Sequence, residues 1–395
     1  MSKTLPSFFG HDLMWGAFFT AGHLPDPATF GTNRFHDSGV SWNEIHLGPG
    51  QFKWTTLDKE VALLPSKKPT YCFSRTPQWA SMRPSEPGPC GGNLTGCGAP
   101  PVDVDSTNAH WKEFVTALAT RYKGRFDYEG WNEANGAYKG AFWTGTIPQL
   151  VRMQSDAYAI IRATDPMARV AGPSVDGESN QFNWLDSYLS AGGGNFQDAV
   201  TFHAYLHDLN PDPAPTLTSW LAQFRALMAK HGIASQELWQ TEGSWAHGGL
   251  GAGPLTPEQQ AAYTQQSMIL GWSAGVSRWV HYSYDNLNTA YLWNGALTLA
   301  GKAYAELYTW LVGAELTQPA TKASDGTWTV SLTLADGTSA TISWKSDSKP
   351  TLTTHGVVPP PRSTTLNFPA SFIDKTGKGV TLAQNGNVVT ITDAV

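Results

Sequence analysis

Three cysteines in 395 residues exclude a disulfide-dense scaffold and leave too few thiols for a cysteine-rich zinc fold. Charge is also scarce, at 15% of residues, with 26 Lys and Arg against 32 Asp and Glu and a formal net charge of −6. That balance, with no basic run anywhere, argues against a nucleic-acid partner. No apolar run reaches the ~20 residues of a membrane span, so no membrane partner is expected. No Gly-rich phosphate loop follows an early strand, which removes the usual mark of a nucleotide-binding open sheet. The opening "MSKTLPSFFG" lacks the apolar core of a signal peptide. The chain is therefore either cytoplasmic or a secreted or periplasmic mature form given a new start Met.

Aromatic residues are abundant: 17 Trp, 13 Tyr and 17 Phe, within a hydrophobic fraction of 41%. A large buried core is feasible. The same rings also suit the apolar C–H faces of sugars, and composition does not separate the two uses. Cys72, in "TYCFS", reads as a buried free thiol on a strand. Cys90 and Cys97 bracket "GGNLTG", a loop that one disulfide would close in an oxidising compartment. Asn93-Leu94-Thr95 within it fits a glycosylation sequon.

From about residue 13 to 313, short apolar runs alternate with amphipathic stretches of helical period. Strand candidates fall at 13–19, 32–38, 69–75, 126–133, 168–174, 199–205, 237–243 and 277–285. This alternation predicts a (β/α)8 TIM barrel of class α/β over residues 1–316. Residues 317–395 change texture: "TWTVSLTL", "TSATISW" and "NVVTITDA" alternate with period two around Asp-Gly and Asn-Gly turns. They predict a small antiparallel β-sandwich, which the first residues of the chain could join.

Barrel enzymes carry their chemistry where strands end. That rule selects Glu133, closing the fourth strand in "YEGWNEANG", and Glu242, closing the seventh in "LWQTEGSW". The two positions face one another across a closed eight-stranded barrel. Such a pair suits retaining glycoside hydrolysis, where carboxyls ~5–5.5 Å apart serve as nucleophile and as acid/base. An acid in either place could instead cap a helix or pair with an arginine.

"WNE" on the fourth strand, "FHAY" on the sixth and "TEG" on the seventh resemble the retaining glycoside hydrolases of clan A. The tail "YSYDNLNTAYLWNGALTLAGKAYAELYTWLVGA" resembles its family 39-like members. The resemblance implies Glu133 as acid/base, Glu242 as nucleophile, Tyr205 as a hydrogen-bond donor to Glu242, and Asn132 as the ligand of the sugar 2-hydroxyl. Ala134 departs from the clan's frequent Asn-Glu-Pro, which leaves the local loop shape open. Arg34, in "NRFHDS", could lower the pKa of Glu242. Glu133 would need a raised pKa, from burial and from the charge of Glu242.

Glu129 lies four residues deeper than Glu133, ~13 Å along a strand, and reads as a satisfied interior acid. His203 and His207 share i,i+4 spacing, but on a strand that also separates them by ~13 Å, so chelation is not expected. His203 is placed to contact sugar or to orient Tyr205. His36, Trp79, Trp245, His281 and Tyr282 fall near strand ends, with Trp245 and Tyr282 favoured as stacking surfaces. An oligo- or polysaccharide substrate, no metal and no organic cofactor are expected. Two alternatives stand beside this: a catalytically decayed carbohydrate-binding barrel, and a metal-dependent hydrolase on the same fold.

Overall fold

The computed structural model describes residues 3–13, 26–64, 67–136, 142–177, 180–205, 213–244, 255–285, 292–345 and 348–357, and within the tail 371–373, 379–385 and 388–393. Seven parallel strands form one sheet: β1 (Phe9–Asp12), β2 (Thr32–Phe35), β3 (Thr70–Phe73), β4 (Asp127–Trp131), β5 (Ala199–His203), β6 (Glu237–Glu242) and β7 (Arg278–His281). Their order is β4-β3-β2-β1-β7-β6-β5. Nearly every strand residue is buried, as expected for a parallel sheet covered on both faces.

The gap between β4 and β5 is filled by residues 170–175, which pair as isolated parallel bridges, Tyr128 with Val170, Ala171 with Ala199 and Val175 with Phe202. Pro173 explains why this fifth of the eight positions is not a regular strand, since it has no N–H to give to a ladder. The approach there is close: a Cβ on Gly130 would lie 2.5 Å from Pro173 N, so only glycine fits. The barrel is thus closed, with a loosened fifth position.

The first strand corrects the expectation at 13–19. It lies earlier, at Phe9–Asp12, and residues 14–25 are outside those described. His11 and Asp12 look like loop residues in sequence. Here the His11 ring packs among Phe30, Tyr284 and Tyr304, and Asp12 faces Arg34.

Helices α1 (Thr55–Leu63), α2 (Ala109–Arg121), α3 (Ile147–Thr164), α4 (Gln181–Ser190), α5 (Pro213–Lys230), α6 (Pro257–Ser273) and α7 (Leu299–Leu311) surround the sheet. Capping boxes start α3 (Thr146 with Gln149) and α6 (Thr256 with Gln259), each with Pro in the first turn. Among the described residues, no helix is long and apolar enough to cross a membrane.

Beyond α7, strands β8 (Glu315–Lys322), β9 (Thr327–Thr333), β10 (Thr338–Lys345) and β11 (Thr351–Val357) form an antiparallel sheet in chain order. Strands β12 (Ser371–Ile373), β13 (Gly379–Asn385) and β14 (Val388–Asp393) form a second one. Along β9 burial alternates, and Trp328, Val330 and Leu332 share a buried face with Ala340, Ile342 and Trp344 of β10. This sheet is tied to the barrel: Ala320 N donates to Ser273 Oγ at 2.5 Å and Gln266 Nε2 to Ser348 O at 2.8 Å. β8 begins at Glu315, two residues before the boundary read from sequence. Near the N-terminus, Thr4 bonds Ala314 and Gly313 at the junction.

Cys90 and Cys97 are joined, with Cα atoms 5.4 Å apart, and Cys72 is a buried free thiol. The bridged loop holds the mouth of the barrel: Cys97 O accepts from Thr76 N at 2.9 Å and Cys90 O from Asn43 Nδ2 at 3.0 Å. Replacing both cysteines by alanine should lower unfolding stability by about 2–3 kcal/mol, the loop-closure value for so short a ring. Urea denaturation of the two proteins under oxidising conditions measures it.

Candidate active site

Arg34 is the centre of the barrel mouth. Strand alternation turns its side chain inward from β2, and it is fully buried. Its Nε and Nη2 grip Glu129 at 2.8 and 3.0 Å, and its Nη1 reaches Glu242 Oε2 at 2.7 Å and Asp12 Oδ2 at 3.3 Å. Nη2 also donates to Asn132 Oδ1 at 2.5 Å and to Cys72 Sγ at 3.2 Å. A planar guanidinium with five donors can serve so many acceptors at once; an ammonium cannot.

The acids respond differently. Burial pushes the Asp12 carboxyl well above its ordinary value, against the opposing pull of Arg34. Burial also pushes Glu129 upward, but Arg34 and His203 outweigh it and hold that carboxylate far below its usual range. Glu129 is the satisfied interior acid read from the sequence. Glu242 ends β6 with each carboxylate oxygen held: Tyr205 Oη donates to Oε1 at 2.7 Å and Arg34 to Oε2.

Glu133 lies outside the strand. β4 stops at Trp131, and Glu133 adopts a left-handed conformation with φ 41°. Such a backbone is costly for a residue with a Cβ and has to be imposed by its surroundings. Ser174 supplies the clasp: its hydroxyl accepts from Glu133 N at 3.1 Å and its carbonyl from Ala134 N at 3.1 Å. Ala134 thus uses a donor that proline would lack, which accounts for the departure seen in the sequence.

His203 lies between the acids. Its Nδ1 is 2.8 Å from Glu133 Oε1 and 3.9 Å from Glu242 Oε2, and its Nε2 is 3.9 Å from Glu129 Oε1. Burial opposes a charged ring, yet Glu242, Glu129 and Glu133 push its pKa up to about 10. The expectation for Glu133 is corrected here. Burial does push its carboxyl upward, but the bond to His203, with the charges of His203, His36 and Arg34, brings it below its ordinary value. The two groups titrate as a pair, and the directions of their shifts favour the proton on the imidazole.

One oxygen each of Glu133 and Glu242 and one ring nitrogen of His203 lie within 4.8 Å of one another. By donor type these atoms could hold a metal ion. Arg34, 2.7 Å from Glu242, already supplies a positive charge there and opposes a second one.

The remaining candidates divide. His36 Nδ1 is 3.2 Å from Asp37, and its ring packs on Phe142. Tyr282 donates its hydroxyl to Asp37 Oδ2 at 3.1 Å. The peptide between Tyr282 and Ser283 is cis. Trp79 packs between His46 and His110 and bonds His46 O, and His281 is buried against Tyr304. Trp245 and His207 lie outside the described residues. Sequence reading missed Asp12, hidden by the misplaced first strand, along with Ser174 and Asp37, whose parts depend on turns.

Residues 148–304, fewer than half of the chain, match the family model of the glycosyl hydrolase catalytic core. No curated protein sequence matches. Among solved structures, the chain is similar to a glucosidase from Croceicoccus marinus, at 14% identity and TM-score 0.63, over 96% of this chain and 81% of that one. It also resembles SrfJ from Salmonella typhimurium, at 11% identity and TM-score 0.57, over 90% of each chain. A third is the catalytic domain of the GH30 xylanase C from Talaromyces cellulolyticus, at 14% identity and TM-score 0.53, over 84% of this chain and 77% of that one. At these identities the likeness establishes the shared barrel fold.

Because Arg34 neutralises buried acids, Arg34→Met should cost about 3–5 kcal/mol of stability by removing the two parallel bonds that hold Glu129. Arg34→Lys should recover only part, since it cannot bind Glu129 through two parallel bonds. Thermal and urea melts of the three proteins decide this.

Proposed function

We propose that this chain is a retaining glycoside hydrolase of the clan A type, cleaving an oligo- or polysaccharide by double displacement. The observation that supports it most is the pair of opposed carboxylates, Glu133 and Glu242, with oxygens within 4.8 Å of one another at the mouth of a closed barrel. The family 39-like placement rests on the tail residues and the β-rich C-terminus.

Glu242 is the nucleophile. Tyr205 and Arg34 orient both of its oxygens for attack on the anomeric carbon. Glu133 protonates the departing oxygen, drawing on the proton it shares with His203. Once the glycosyl-enzyme forms, Glu242 no longer carries charge, and Glu133 then takes a proton from the attacking water. Asn132, fixed by Arg34, presents its amide to the sugar 2-hydroxyl. The disulfide fits a protein working in an oxidising compartment.

The roles of the glutamates are separable. Glu242→Gly should abolish turnover while the protein stays folded, and azide should restore cleavage of an activated aryl glycoside with inverted product. Glu133→Ala should spare glycosylation by a dinitrophenyl glycoside but accumulate the covalent intermediate, with azide restoring turnover and retention. Equal losses across leaving groups of graded pKa would remove the acid/base role. The same assays run in EDTA discriminate the metal-dependent reading, which requires activity to disappear there.

His203 gives a pH test. The proton used in catalysis belongs to the Glu133–His203 pair, and is lost only as pH approaches the pKa of about 10 that His203 has in the fold. His203→Asn leaves that proton to Glu133 alone, so the alkaline limb of kcat/KM should move down by at least about one pH unit. An unmoved limb, with activity merely scaled down, would make His203 a packing residue.

A further inference from the structure

The mouth is lined by polar groups in contact, and most of the deeper ones are sealed. Arg34, Glu129 and His203 have fully buried side chains, whereas Glu242, Glu133 and Asp37 keep 11%, 20% and 22% of theirs exposed. Tyr205 and Tyr282 are also partly exposed. These groups form one chain. From Glu133 it passes through His203 to Glu242, and then to Tyr205, whose ring lies 6.2 Å from that of Tyr282. The Tyr282 hydroxyl ends it on Asp37. The reaction described above uses the first part of this chain and leaves Asp37 without a task.

Asp37 is built with care for a loop acid. Its Oδ1 lies 3.2 Å from His36 Nδ1 and accepts from Arg75 Nη2 at 3.3 Å, and its Oδ2 accepts from Tyr282. Arg75 is held in a left-handed conformation, φ 63°. Its carbonyl accepts from Asn43 N, and the next amide, Thr76 N, is tied to the disulfide loop. Its guanidinium lies over the Phe142 ring. A backbone strained at one residue and fixed on both sides is a common device for aiming a side chain into a site. Burial opposes charge on Asp37, but His36, Arg75 and the more distant Arg34 outweigh it, and its carboxyl is held far below the ordinary range. Asp12, the nearby acid, is pushed the other way.

A carboxylate oxygen can accept two hydrogen bonds, so Oδ2 retains capacity beyond Tyr282, on a side chain that keeps 22% of its surface exposed. Resting on the glycosidase reading, we propose that Asp37 is a specificity-determining residue, accepting hydrogen bonds from ring hydroxyls of a neutral sugar and rejecting a sugar that carries a carboxylate at that position. A fixed acceptor selects strongly for a hydroxyl, because an analogue without one leaves it desolvated and unpaired. A fixed negative charge disfavours a uronate through like-charge repulsion.

The test compares kcat/KM on aryl glycosides sharing one leaving group, with neutral hexosides and pentosides set against the matching uronides. Wild type should prefer a neutral sugar. Asp37→Asn, which keeps the shape and turns one acceptor oxygen into a donor, should lower that preference at least ~10-fold, with the uronide losing less or gaining. Asp37→Ser is held to the same criterion should the amide variant fail to fold. An unchanged ratio, a uniform loss on every sugar, or a wild-type preference for uronides would each overturn the proposal. Absence of wild-type hydrolysis on every glycoside would instead refute the glycosidase reading itself.

Discussion

The mouth of this barrel depends on one buried cation. Arg34 touches Glu129, Glu242, Asp12 and Asn132, drawn from β4, β6, β1 and the turn after β4. Carboxylates this deep cannot stay ionised without a partner. Arg34 keeps Glu129 charged, while Asp12 is driven toward its neutral form. His203 adds a second basic group between Glu133, Glu242 and Glu129. Were the site to meet an oxocarbenium-like transition state, carboxylates already fixed in place would stabilise it more than the neutral substrate.

The same balance explains why Glu133 departs from the expectation of a raised pKa. Reading acids one at a time, burial and the charge of Glu242 both argue for a proton on Glu133. His203, between them at 2.8 Å from Glu133, changes the outcome because it is a base stabilised by all three acids. The proton is present but one bond away. Whether it belongs to the histidine or to the glutamate matters less for catalysis than that the pair holds it, since the transfer follows a bond already formed.

Much of this was legible in the sequence, and the losses have physical causes. Short apolar runs and period-3.6 patterns located β2 to β7 and the main helices, because buried parallel strands read as continuous apolar runs and amphipathic helices leave a regular stripe. Acids at strand ends picked out Glu133 and Glu242, and Glu129 was read as interior from its depth. β1 was misplaced because "FFGHD" carries His11 and Asp12, whose burial becomes understandable only once Arg34 and three aromatic rings surround them. Turn geometry left less trace. No local pattern tells that Glu133 turns left-handed or that Ser174, 41 residues away, closes on its amide. Asp37 was invisible for the same reason: its partners Arg75 and Tyr282 arrive from the ends of other strands.

Depth then separates roles. Groups that set the field, Arg34, Glu129 and His203, are sealed from water, where low dielectric makes each charge count most. Groups placed to meet a ligand, Glu133, Glu242 and Asp37, lie one layer out, each tied to a sealed or braced partner. The bracing comes from outside the barrel wall. The disulfide loop fixes the turn that carries Arg75, and the closing segment at 170–175 fixes the turn that carries Glu133. The loosened fifth position is therefore not a defect in the barrel. By giving up a regular ladder there, the chain frees Ser174 to hold the acid in a conformation that a continuous strand would not allow.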